Sequence, residues 1–277
     1  MNNISVSDQL LSIYVFVGDY LKEHPGIANW RKSPNSRPAL TDAEAISIGL
    51  MQGAFGCQTL KRTYLLVSSL YRDAFPKICC YKEWLRRLHD LTAIIGRLLQ
   101  AALSADGDRL YLVDGKPIPV CKPIRHGRVK LLREDGAYFG KSTTGWFFGF
   151  KLHALVHISG QIVCAFLTPA NWPERDVARA LAEAVDGGTL LADRGYRSKE
   201  LAQQLYDETD MVLITPLTEP SKRALISSVR EKVETVFSAL WARFVDRVFS
   251  RSWNGLWNTI KLKMTHYNLC KAGVISA

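Results

Sequence analysis

The 277 residues suffice for one large or two ordinary domains, with a substantial core that needs neither disulfides nor a structural metal. Hydrophobic residues make up 47% and charged residues 22%, which excludes a mainly disordered chain. Thirty-six Lys and Arg against 26 Asp and Glu leave +10, a surplus that points to a polyanionic partner, nucleic acid ahead of a membrane surface.

In chain order, residues 1–24 read as an amphipathic helix ending before His24-Pro25. Within it, Leu10–Val17 lacks the preceding Lys or Arg and the following small-residue site of a signal peptide. Residues 31–40, with two prolines and two serines, read as a linker. Thr41-x-x-Glu44 is a capping box ahead of Ala45, Ile46, Ile48 and Leu50, and Gly53 and Gly56 break the helix it opens. Further helices are predicted over Gln58–Tyr71 and Tyr81–Leu103, the latter spacing Leu85, Leu88, Leu91, Ile95, Leu98 and Leu99 in near-helical steps. Residues 1–105 therefore read as an all-helical domain. Its short helices about a Gly turn fit either a DNA-reading helix-turn-helix or a plain bundle.

At Asp106 the texture changes. Arg109–Asp114 is a short apolar strand that Gly115 and Pro117 are expected to stop. Trp146–Ile158 and Gln161–Leu167 flank Ser159-Gly160 as a hairpin. Asp176–Val185 is a helix, Gly188–Asp193 a buried-type strand, and Ser198–Glu208 a helix with Ser198 as N-cap. Met211–Thr215 is a strand and Ala224–Phe244 a long helix. This order predicts an α/β domain over 106–250 with a mixed sheet, followed by a helical extension over 251–277. Cys121–Gly145 is rich in Lys, Arg and Gly without a hydrophobic period, and reads as a long functional or disordered loop.

No stretch reaches the roughly 20 apolar residues of a membrane span, so no membrane partner is expected. The six cysteines show no C-x-x-C spacing and read as buried free thiols in a reducing cytoplasm. The positive charge concentrates in Lys116–Lys151 and Lys222–Lys263, each with a net +6, which assigns the grip on a polyanion to the later two-thirds of the chain.

Two predicted strands finish on an acid, Asp114 and Asp193. The crevice beyond the carboxyl ends of strands is the usual ligand site of an open α/β sheet. Two acids on neighbouring parallel strands would repel each other there, and an oxygen-seeking divalent ion such as Mg²⁺ would relieve that repulsion. A third acid comes from the long helix, where Glu234 adjoins the apolar face through Val233, while Glu231 takes a more water-facing position. Arg230 stands one turn before Glu234 and can support it.

These residues resemble bacterial insertion-sequence transposases with a DDE catalytic domain, most closely insertion-sequence family 982. The similarity spans roughly 105–245. It rests on Val113-Asp114-Gly115, on Gly149-Phe150-Lys151-Leu152-His153, on Leu191-Ala192-Asp193-Arg194-Gly195-Tyr196, and on Arg230-x-x-x-Glu234 with Phe237 behind it. Ser227 and Trp241 depart from it, standing where related families carry Tyr and Lys. The resemblance implies a ribonuclease H-like sheet with flanking helices behind the all-helical N-terminal domain. It implies Asp114, Asp193 and Glu234 as catalytic and metal-binding residues, two Mg²⁺ ions per site with Mn²⁺ as a substitute, and DNA strand cleavage and joining. The implied partner is double-stranded DNA, at the element's terminal inverted repeats and at its target. A homodimer on paired ends and a cytoplasmic, nucleoid-associated location follow by the same analogy. Lys151, His153, Arg194 and Arg230 are the expected DNA contacts, with a hydrogen-bonded core histidine as the other reading of His153. The competing functions are a nuclease that cuts without joining, a catalytically silent DNA-binding protein derived from a transposase and, last, a glycoside hydrolase, which also uses paired carboxylates but has no use for the basic charge.

Overall fold

The computed structural model describes residues 5–30 (for 28–30 the backbone alone), 38–103, 107–143, 145–215, 231, 234–236, 238–239 and 249–276. Eight helices are given ranges: α1 (Val6–Glu23), α2 (Asp42–Ala54), α3 (Leu60–Leu70), α4 (Tyr81–Asp90), α5 (Thr92–Ala101), α6 (Glu174–Ala182), α7 (Lys199–Thr209) and α8 (Trp253–Lys271). Six strands accompany them: β1 (Leu110–Cys121), β2 (Tyr138–Ser142), β3 (Gly145–His157), β4 (Ile162–Pro169), β5 (Gly188–Leu191) and β6 (Met211–Ile214). The chain divides into two compact units, Met1–Leu103 with Trp253–Ala277, and Ser104–Ser252.

The first unit is helical. Ser5 caps α1, its hydroxyl accepting from the Asp8 N–H, and the helix ends at His24, ahead of Pro25. The Thr41–Glu44 capping box closes in both directions, with Thr41 Oγ1 accepting at 3.2 Å and Glu44 Oε2 at 2.5 Å. From Ala45 to Gln52 every residue of α2 is buried, polar Ser47 and Gln52 included, which makes it the central helix of this unit. Of the two helices about the Gly turn, α2 carries no Lys or Arg, and α3 presents exposed Lys61 and Arg62 at its start. Helix α2 ends at Ala54, between the two glycines expected to break it, with φ +59° at Gly56. Gly53 lies in its last turn, and a Cβ there would stand 2.0 Å from the His266 ring of α8, so the glycine lets the two helices close. Gly53→Ala should cost about 1–3 kcal/mol in urea unfolding, since either the ring or the helix must move; an unchanged midpoint would contradict this packing.

The predicted helix over Tyr81–Leu103 is two helices, α4 and α5, hinged at Leu91. The hinge makes room for α8. Asn258 Nδ2 donates to the Leu88 carbonyl at 3.3 Å and to Thr92 Oγ1 at 2.8 Å, while Thr92 Oγ1 donates to the His89 carbonyl. Groups freed by the break are thus paired from within this unit. The segment after residue 251 packs here, with Leu262 and Leu269 of α8 in the same core as Ile13, Ile46, Trp84 and Ile95.

The second unit holds one six-stranded mixed sheet. One edge of β3 pairs antiparallel with β1, from Tyr111↔His157 to Cys121↔Phe148. Its other edge pairs with β2 along its first part and with β4 along the rest. On the far side of β1, β5 joins in parallel through Leu110↔Thr189 and Leu112↔Leu191, and β6 follows in parallel on β5. The hairpin about Gly160 forms as expected, with φ +88° at that glycine, and the Ser198 hydroxyl caps α7 through the Leu201 N–H.

Two expectations fail here. Gly115 and Pro117 do not stop β1, which runs on to Cys121. Pro117 and Pro119 are two apart, so their missing N–H groups face one edge, and beyond Leu112 no described strand pairs with β1 on that side. The segment Cys121–Gly145 is not all loop, since it contains β2. Of the long helix predicted over Ala224–Phe244, only 231, 234–236 and 238–239 are described, and these are helical. Of the six free cysteines only Cys57 is buried, and Cys80 is exposed. Among the described residues no helix is long and apolar enough to cross a membrane.

Candidate active site

Asp114 sits inside β1, two residues past the last parallel pair with β5, Leu112↔Leu191. Asp193 follows β5 by two residues. Parallel pairing therefore carries both acids to the same place, where β5 ends and β1 continues. Glu234 reaches this place from the later helical segment. The three carboxylates line one solvent-open cleft together with Leu112, Val113, Leu191 and Ala192. Glu231 does not line it.

Each aspartate is oriented by the next backbone amide. Asp114 Oδ1 accepts from the Gly115 N–H at 2.8 Å, and Asp193 Oδ1 from the Arg194 N–H at 2.6 Å. Such bonds fix the plane of each carboxylate. Lys116, two residues along the same strand face, brings its Nζ to 3.7 Å from Asp114 Oδ2. Three carboxylates supply the hard oxygen donors that a Mg²⁺-type ion prefers. As they stand, no three Asp, Glu, His or Cys side chains among the described residues are grouped to hold a metal ion. The cleft gathers the donors without already clustering them.

Behind Asp193 the turn Arg194–Tyr196 folds the Tyr196 ring into the interior, 1% exposed. Its hydroxyl is buried with no hydrogen-bond partner among the described residues. Burial first, and then the nearby Glu174, Asp114 and Asp193 carboxylates, push this phenol well above its ordinary range. Glu174, the first residue of α6, escaped the sequence reading. Its Oε1 takes Lys151 Nζ at 3.0 Å, and its Oε2 would lie 3.3 Å from a Cβ on Gly195. It lies beside the turn that follows Asp193. The signal available was an acid opening a helix after Pro173, a pattern that most often marks only a helix start.

Two of the expected DNA contacts lie away from the cleft face. Directly opposed residues share a face, so Asp114↔Ala154 and Gly115↔His153 put Lys151 and His153 on the opposite side of the sheet from Asp114. Lys151 spends its charge on Glu174. His153 is fully buried, with Nε2 3.1 Å from Thr168 Oγ1, which makes it the core histidine.

Burial pushes the His153 imidazole down to about 4; Glu174 opposes this and Lys151 reinforces it. Between that value and the ordinary 6.5 the unfolded chain binds a proton that the folded chain does not, so stability falls as pH drops through this window. The loss at pH 5 should be about 2 kcal/mol. Unfolding measured at pH 7.5 and 5.0 should show this difference shrink in His153→Gln, and an equal difference in both proteins would contradict it.

Arg194 is exposed beside Asp193, where a phosphate could meet it. Arg230, Phe237, Ser227 and Trp241 lie outside the described residues.

Residues 104–241 match the family model described as a transposase DDE domain. No curated protein and no solved structure matches the chain.

Proposed function

Because residues 104–241 match the model of a transposase DDE domain, we propose that the protein is the DNA transposase of a bacterial insertion sequence, most closely of family 982. In this reading it binds the element's terminal inverted repeats and cuts and joins phosphodiester bonds. The observation that carries the proposal is the convergence of Asp114, Asp193 and Glu234, from three separate segments, on one cleft. The sheet supports a ribonuclease H-like fold: three antiparallel strands, β4, β3 and β1, followed across the sheet by parallel β5 and β6.

The family is divalent-metal dependent, and two ions held by Asp114, Asp193 and Glu234, Mg²⁺ or in its place Mn²⁺, would activate the attacking oxygen and relieve charge on the leaving one. The chain's own contribution is position and field. The Gly115 and Arg194 amides hold two of the three carboxylates in place. Lys116 and exposed Arg194 offer cations to a scissile phosphate, with Arg230 a further contact. No side-chain nucleophile is required, so one cleft serves both hydrolysis at the element end and attack by the freed 3′-OH on target DNA. The protein acts in the cytoplasm, as a homodimer when two ends are paired.

The test is an assay with the inverted repeats that flank the gene, a target plasmid and Mg²⁺. The expected result is cut ends that become joined to the target. Cutting without joining would instead identify a nuclease, and binding without cutting a silent descendant.

A further inference from the structure

Between β1 and β3 the chain carries Lys122, Arg125, Arg128, Lys130, Arg133 and Lys141 against only Glu134 and Asp135, and all six cations are exposed. None of them lines the cleft. The connection is anchored rather than loose. His126 packs edge-on to Phe139 with ring centroids 4.6 Å apart and lies 6.0 Å from Phe148, while the Arg133 guanidinium sits over the Phe148 ring at 5.8 Å. The Arg133 side chain also donates to the His126 carbonyl, tying the two anchors together.

The strand register says which side this arm covers. Phe139↔Phe148 and Lys141↔Trp146 are opposed pairs, so all four side chains share one face. Alternation along β3 places Trp146 and Phe148 on the side of Ala154, the partner of Asp114. The arm, Lys141 and Trp146 are therefore on the catalytic side of the sheet. Eight residue steps along β3 separate Trp146 from Ala154, roughly 25 Å at strand spacing. Trp146 is 63% exposed at the tip of the β2–β3 hairpin, which Gly145 closes with φ +118° and where Ser142 Oγ donates to the Gly145 carbonyl.

A duplex would need only the cations, because its base faces are already stacked. A strand with unpaired bases needs cations for its phosphates and an aromatic surface for its bases, and this surface presents both together. Resting on the transposase reading above, we propose that the 122–133 arm with Lys141 and Trp146 is a binding site for unpaired DNA strand, separate from the catalytic cleft. It would hold bases opened near an element end.

The test is fluorescence anisotropy with the full-length protein on three labelled DNAs: a blunt duplex, the same duplex with a single-stranded overhang, and a free single strand. Trp146→Ala should weaken overhang and single-strand binding roughly tenfold and leave the blunt duplex nearly unchanged, while Trp146→Phe keeps most of the affinity. Arg125→Ser/Arg128→Ser/Lys130→Ser should flatten the salt dependence of single-strand binding, by about 0.7 in log–log slope for each phosphate no longer neutralised. Circular dichroism confirms that these exposed positions leave the fold intact. If wild-type protein binds and cuts DNA while Trp146→Ala binds all three DNAs as wild type does, this site is wrong and the transposase reading stands. If wild-type protein neither binds nor cuts DNA, both fail. Loss on Trp146→Ala of binding to phosphatidylserine vesicles, with DNA binding unchanged, would reassign the surface to membranes.

Discussion

Replacing Asp114 or Asp193 with Asn, or Glu234 with Gln, is expected to lower metal-dependent strand cleavage by at least about 10³-fold, on the scale of removing a major electrostatic group from an active site. Each change keeps the size of the side chain and removes one charge from a cleft lined by three carboxylates. The same charges repel one another in the metal-free protein, so thermal stability should hold or rise slightly in each variant. Glu231→Gln serves as the internal control. Glu231 is exposed and does not line the cleft, so its loss should leave cleavage near wild type. Cleavage rates from single-turnover gels, together with melting temperatures, separate this account from a stability effect. An Asp193→Asn protein that cuts at the wild-type rate would remove Asp193 from the site.

The largest stability effect is expected at Arg87. Arg87 is 8% exposed and its guanidinium faces Asp42, 7% exposed, with Nε 3.2 Å from Oδ1. It also donates to the Leu40 carbonyl, so one side chain ties α4 to the start of α2. Arg87→Leu would remove this cation from beside the buried Asp42 carboxylate. Breaking a buried pair from one side costs about 3–5 kcal/mol. Arg87→Lys should recover only part of this, since a single ammonium cannot span both acceptors as a planar fork does. The double variant Asp42→Asn/Arg87→Leu should lose less than the sum of its single changes. Urea unfolding of wild type, both single variants and the double variant measures this, and simple additivity would contradict the pairing.

What the sequence revealed follows from what local patterns record. The Thr41–Glu44 box, the Ser198 cap and the Gly160 hairpin each need only a few neighbouring residues, and all form. The acids at 114 and 193 were legible because short apolar runs lead into them. Why they meet differs from the strand-end pattern: Asp114 ends no strand, and it is β5 that stops, leaving β1 to run past it.

The missed features are non-local. The hinge at Leu91 depends on Asn258, about 170 residues away along the chain, and nothing in the periodicity of 81–103 records that partner. Strand β2 hides in a segment whose aromatic residues mix with glycine and cations. Lys151 and His153 do alternate on one strand face, as expected, but only the pairing of β3 with β1 reveals that this face is turned away from Asp114. Glu174 gains its role from Lys151 and Gly195, neither of them near it in sequence.

The claim on which the rest depends is that Asp114, Asp193 and Glu234 act together as one set of metal donors. Mn²⁺ titration of the full chain, followed by electron paramagnetic resonance, tests it without reference to activity. The expected result is saturable binding displaced by Mg²⁺ and weakened by more than about tenfold in each of Asp114→Asn, Asp193→Asn and Glu234→Gln, since each loses a charged oxygen ligand. Mn²⁺ binding that is the same in wild type and all three variants would contradict it.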